Sequence, residues 1–92
     1  MAFNDLTERV ANLLLRLADE STNIIDGFSH DDLAPMVGCR RESFSVIIDR
    51  FRRAGAILTG RRRIELIDRN HLDRIVHERY ADHTLINSSE RI

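Results

Sequence analysis

The chain has 92 residues, a net charge of −1, 42% hydrophobic and 32% charged residues and a single cysteine, Cys39. That is enough for one domain and too little for two, and a lone cysteine excludes an internal disulfide. No stretch approaches the roughly 18–20 apolar residues of a membrane span. The polar start Met1–Arg9 lacks the basic leader and apolar run of a secretory signal, so a cytoplasmic location is expected.

The net charge conceals an asymmetry. All 14 basic residues are arginine, and eight fall between positions 40 and 63: Arg40, Arg41, Arg50, Arg52, Arg53, Arg61, Arg62 and Arg63. Only Glu42 and Asp49 oppose them there, so this segment is net +6 and the rest of the chain −7. A concentrated arginine stripe is the electrostatic footprint of phosphate binding.

Taken in chain order, Leu6, Val10, Leu13, Leu14 and Leu17 recur at helical spacing, predicting a first helix over 5–19 with Leu15 on the opposite side. Residues 21–27 read as a loop, and Phe28 as a very short strand. Ser29 is a good N-cap for a second helix over 30–37, with acids in its first turn. Pro35 predicts a kink or truncation there. Gly38 is placed for a positive φ as the chain leaves the helix.

A third helix is expected from Arg40 or Arg41. Phe44, Ile47, Ile48 and Phe51 form its buried stripe, and Gly55 closes it. Two short apolar runs, Ile57–Leu58 and Ile64–Ile67, flank a basic turn in which Gly60 supplies the bend, predicting a β-hairpin. A fourth helix is expected over 69–80, capped near Asp68 or Asn70, with Leu72, Ile75, Val76 and Tyr80 inward. The tail 81–92 is polar and expected to be disordered or loosely packed.

Helix, short glycine turn, helix is the helix-turn-helix pattern, and the hairpin that follows makes it winged. The fold expected is therefore mostly α with a small β-hairpin wing, a winged helix-turn-helix domain over 1–80. With its apolar stripe buried, the third helix presents Glu42, Ser45, Val46, Asp49 and Arg53 outward, and Arg40, Arg41 and Ser43 at its start. The N-terminal part of such a helix reaches base edges in the major groove. Arginine pairs bidentately with guanine, glutamate accepts from the cytosine amino group, and valine touches a thymine methyl. Ser43 and the helix N-terminus suit phosphate oxygens. Arg61, Arg62 and Arg63 would follow an adjacent backbone or minor groove. Ser29 and Arg50 complete the expected phosphate-contacting set.

The run Val37-Gly38-Cys39-Arg40-Arg41-Glu42-Ser43-Phe44-Ser45 resembles the C-terminal DNA-binding domain of the Crp–Fnr type of bacterial transcription regulators. The resemblance extends through Ile47, Ile48, Phe51, the stretch 55–58, the basic wing and Ile64–Ile67, covering roughly residues 6 to 76. It implies that Arg41 contacts guanine, Glu42 contacts cytosine, Ser43 binds phosphate and Ser45 adds a base contact. Many members carry arginine where this chain has Val46, so base preference is expected to differ. It also implies a homodimer in the functional form and a contact with RNA polymerase.

The family's effector-sensing barrel and long dimerisation helix do not fit in 92 residues. The chain is expected to be the DNA-binding portion of a longer effector-responsive protein. If it stands alone, dimerisation must come from Leu15, the fourth helix or the tail.

Other chemistry has little support. His30, His71, His77 and His83 are scattered without metal-ligand spacing, and no phosphate-cradling glycine loop or nucleophile–base pair is present. No metal, no cofactor in this chain and no enzymatic activity are expected. Cys39 reads as a small residue under the turn rather than a redox switch. The alternative from another class is a winged helix serving as a protein-interaction or dimerisation module. An exposed aromatic or leucine cluster on the third helix would favour it, and the charge found there favours DNA.

Overall fold

The computed structural model describes residues 2–77. Helix α1 spans Ala2–Leu17. It buries Val10, Leu13 and Leu14 as its spacing requires, together with Ala11, while Leu6 and Leu17 are partly buried. Leu15 departs from expectation: it packs against the core rather than facing away from it. The returning Arg69 donates to the Leu15 carbonyl at 3.1 Å, so this flank of α1 is covered.

The helix also stops before Asp19. That carboxylate accepts hydrogen bonds from the Ser21 amide (2.8 Å), the Ser21 hydroxyl (2.6 Å) and the Thr22 amide (3.1 Å), organising a turn instead. An acid is also disfavoured at a helix C-terminus by the helix dipole.

The segment expected to be a loop contains strand β1, Ile24–Asp26, whereas Phe28 lies outside any strand. Such a short strand has no local partner and shows no alternation over so few residues. It exists because it pairs antiparallel with a strand some forty residues later, matching Ile25 to Ile64. Ile25 is thereby buried.

Helix α2 is only His30–Leu33. Ser29 caps it by accepting from the Asp32 amide, and Asp32 reciprocates by accepting from the Ser29 amide at 2.9 Å, a complete capping box. The chain then tightens into a 3-10 turn, Ala34–Val37, with Pro35 in its first residues, where a missing N–H removes no bond. The expected truncation at Pro35 is found. Gly38 follows in the left-handed region at φ 72°. A Cβ there would meet nothing within 4 Å, so any penalty is one of backbone alone. Gly38→Ala is expected to lower stability by about 1–2 kcal/mol, read as a shift in the urea midpoint at unchanged slope.

Helix α3 spans Arg41–Arg53 and buries all four expected stripe residues, Phe44, Ile47, Ile48 and Phe51. Each such side chain contributes roughly 1.5–3 kcal/mol of hydrophobic stabilisation. Ala54 caps the helix and Gly55 follows at φ 78°.

Strands β2 (Ile57–Gly60) and β3 (Arg63–Leu66) form the wing hairpin. The sheet order is β1-β3-β2, so the hairpin is part of a three-stranded antiparallel sheet. The bend differs from expectation. Gly60 pairs with Arg63 inside the ladder, leaving a two-residue loop, and the positive φ falls on Arg62 at 53°. Residues 69–77 are helical (α4), with Asp68 accepting from the His71 amide at 3.1 Å. Leu72 is fully buried, and Ile75 and Val76 are partly so. The expected end of this helix with Tyr80, and the tail 81–92, lie outside the described residues.

Candidate nucleic-acid interface

The glycine turn delivers the chain from α2 into α3 with the start of α3 exposed. Arg40 occupies the N-cap in an extended conformation and makes no side-chain capping bond. The first-turn amides of Arg41, Glu42 and Ser43, which have no intrahelical acceptor, are left for solvent or a ligand. Arg41 begins the helix with its side chain 62% exposed, 3.7 Å from the still more open carboxylate of Asp31. An exposed pair of this kind contributes about 0–1 kcal/mol, so a base or phosphate can compete for the guanidinium. Glu42 is exposed and without a polar partner among the described residues. Val46 is 53% exposed one helical turn on. Ser43 is half-buried, and Arg50 is exposed.

Ser45 faces a partner the sequence did not suggest. Its Oγ lies 2.7 Å from Nδ1 of His30, the first residue of α2. The imidazole stands edge-on to Phe44, with ring centroids 5.3 Å apart. Fifteen residues separate His30 from Ser45, and no local pattern links them.

Pairing also thins the arginine stripe. Asp49 holds Arg52 at 2.6 Å and Arg53 at 2.9 Å, so a single carboxylate is shared between two of the eight cations and offsets one positive charge on the helix itself.

The wing arginines separate into two kinds. Arg61 and Arg63 are exposed and have no partner among the described residues. Arg62 instead folds back. Its guanidinium donates to the Gly27 carbonyl at 2.8 Å and lies 3.6 Å from Asp32, while its own carbonyl accepts from the Gly27 amide at 2.8 Å. These bonds offset the left-handed backbone of Arg62, which costs about 1–2 kcal/mol in a non-glycine residue. They also pin the wing tip to the chain just before α2.

The fold brings Ser29, Arg41, Arg62 and Arg63 onto one cleft between the start of α2, the start of α3 and the wing, with His30 and Asp31 between them. A second cleft, between α3 and β2, is lined by Ser45, Asp49, Arg52 and Thr59. Arg40, Glu42, Ser43, Val46, Arg50 and Arg61 lie outside both. Ser29 is committed as an N-cap, though its hydroxyl hydrogen stays available because the oxygen is the acceptor in that cap. The Arg69 guanidinium, bridging the Asn23 side chain (2.9 Å) and the Leu15 carbonyl, anchors α4 and is a structural tie that sequence reading missed.

Titration follows from these contacts. Burial holds the His30 imidazole below its ordinary value, reinforced by the Arg41 charge and opposed by Asp31. The folded ring is therefore neutral at pH 7, and the unfolded chain takes up the proton first. Stability should fall as pH drops below about 6.5, the unfolded value, and the loss should level off below the lower folded value.

The Ser21 hydrogen bonds lower Asp19, those of Ser29 lower Asp32, and that of Arg52 lowers Asp49. Their contributions are present above the usual carboxylate range and are lost as pH falls through the depressed values. Thermal melts between about pH 7 and pH 3 should show two separate declines. A flat profile through the first window would contradict the His30 environment.

A capped helix, a glycine turn, an exposed arginine-led helix and a basic hairpin on the same side define a winged helix-turn-helix. The chain belongs to the Crp-like helix-turn-helix domain family, whose model matches residues 8–75. It is thus a DNA-binding domain of the transcription-regulator type.

Among solved structures it is similar to the catabolite activator protein of Thermus thermophilus, at 24% identity and a TM-score of 0.73, covering 84% of this chain and 36% of that one. A CRP-family transcriptional regulator from Thermus thermophilus matches at 32% identity and TM-score 0.69, covering 82% and 43%. A CRP/FNR-family regulator from the same organism matches at 29% identity and TM-score 0.69, covering 77% and 40%. The chain spans less than half the length of these regulators. No curated protein matches it. Among the described residues, no helix is long and apolar enough to cross a membrane.

Proposed function

We propose that this domain reads duplex DNA sequence-specifically, with the N-terminal half of α3 in the major groove and the wing on the adjacent backbone. The observation that carries this reading is the uncapped, exposed start of α3, where Arg41, Glu42 and Val46 stand clear of the core. Arg41 and Glu42 are the principal base readers, with Arg40, Ser45 and Val46 beside them. Ser43, Ser29, Arg50, Arg61 and Arg63 serve phosphates. Arg62 is reassigned to holding the wing.

One such helix covers one half-site, and specific operators generally join two about one helical turn apart. The functional form is accordingly a homodimer, and the chain acts as the DNA-binding part of a cytoplasmic, effector-responsive regulator that contacts RNA polymerase. This reading assigns the domain no enzymatic step and no cofactor of its own.

Selection from random-sequence duplexes, followed by titrations at two salt concentrations, tests the reading. An enriched motif with binding that weakens steeply in salt is expected, because condensed counterions are released. Arg61→Ala should reduce the log–log salt slope by about one phosphate contact, roughly 0.9, while leaving the motif unchanged. A folded protein that enriches nothing and binds no duplex in a salt-sensitive way, as the chain or as a fused dimer, would return the domain to the protein-interaction reading.

A further inference from the structure

The contact between α2 and α3 bears on which base the domain prefers. Ser45 shares a helical face with Arg41 and Glu42, four and three residues before it, so its hydroxyl borders the edge that enters the groove. A serine hydroxyl has one hydrogen to donate and lone pairs to accept. Which of these meets a base depends on what the other is doing.

Here the one hydrogen-bond partner shown for the hydroxyl is His30 Nδ1, at 2.7 Å. If Nδ1 carried the ring proton, the serine hydrogen would have no protein acceptor among the described residues. With the ring proton on Nε2, Ser45 donates to Nδ1 and its hydrogen is used.

We propose that His30 is a specificity-setting positioning residue: by accepting the Ser45 hydrogen it leaves only serine lone pairs facing the DNA, so Ser45 selects a base amino group, that of adenine or cytosine. This rests on the DNA-binding reading above. Guanine and thymine offer Ser45 acceptors at the same edge of the major groove, and acceptor facing acceptor is unfavourable.

Protonation reverses the polarity. An imidazolium is a donor at both nitrogens, so it must donate to Ser45 Oγ, and the serine hydrogen is then released towards guanine or thymine. The groups around His30 are mixed. Asp31 comes from α2, Arg41, Asp49 and Arg52 from α3, and Arg62 and Arg63 from the wing. The ring is neutral at pH 7 for the reasons given above, so the amino-selecting state is the one present near neutrality.

Two measurements on the full chain decide this. Ring 15N chemical shifts report which imidazole nitrogen is protonated. Above its titration, His30 should show an unprotonated Nδ1, and a protonated Nδ1 would overturn the proposal. Random-sequence selection is then run at about pH 7.5 and again below the His30 titration that the same 15N shifts locate, which lies under the ordinary imidazole value of about 6.5.

One position of the motif should shift from adenine or cytosine towards guanine or thymine by roughly fivefold, the weight of one hydrogen bond. That shift should vanish in Ser45→Ala and in His30→Gln, each checked for folding by circular dichroism, while the remaining positions stay as they were. An enriched motif with the same bases at both pH values, or a shift that survives in Ser45→Ala, would overturn the inference and leave the DNA-binding reading intact. Absence of enrichment at either pH would overturn both.

Discussion

Phe44→Ala is expected to destabilise the domain by about 3–5 kcal/mol, the usual loss for a buried phenylalanine. Phe44 is fully buried on α3, and its ring meets that of His30 on α2 in a T-shaped contact. Removing it leaves a cavity between the two helices whose mutual placement defines the reading surface. Domains of this size hold roughly 5–10 kcal/mol in total, so the variant should lose a large share of its stability and show a much lower urea midpoint. Val46→Ala, on the exposed side of the same helix, should change stability by no more than about 0.5 kcal/mol. Comparable midpoints for the two variants would mean that α3 is docked differently.

Arg41→Ala carries the largest expected effect on binding. The loss should be about 1–3 kcal/mol on the preferred duplex, with discrimination relaxed at one base pair. The fold should be untouched, because the only ion pair shown for Arg41 is the open contact with Asp31 at 3.7 Å. Titrating the selected motif and its single-base variants separates this outcome from simple loss of charge, which weakens all sequences alike. Unchanged affinity for the selected motif would remove Arg41 from its place as the reading head. Val46 is expected to contribute only an apolar contact.

Much of this molecule was legible in the chain itself because the deciding forces are local or periodic. The stripe Phe44, Ile47, Ile48 and Phe51 has helical spacing, and burial follows from that spacing alone. Ser29 and Asp32 specify a helix start through bonds spanning three residues. Gly38 marks a left-handed exit and Pro35 a truncated helix for reasons intrinsic to their backbones. The arginine-rich segment, the wing and the exposed Arg41, Glu42 and Val46 followed from the same local reading.

What needed the tertiary structure is what depends on partners distant in sequence. Strand β1 is too short to show a period and exists only through its pairing with β3. Leu15 is covered because Arg69 returns over its carbonyl. Charge counting treats every arginine in the stripe alike, yet Asp49 occupies two of them and Gly27 draws Arg62 inward. The hydrogen bond between His30 and Ser45 joins side chains that only the packing of α2 on α3 brings within reach. Composition and periodicity determine which elements form and which face is wet, because those are single-residue and nearest-neighbour energies. The tertiary fold alone decides which exposed polar groups remain available to DNA, because that depends on which donor meets which acceptor across the chain.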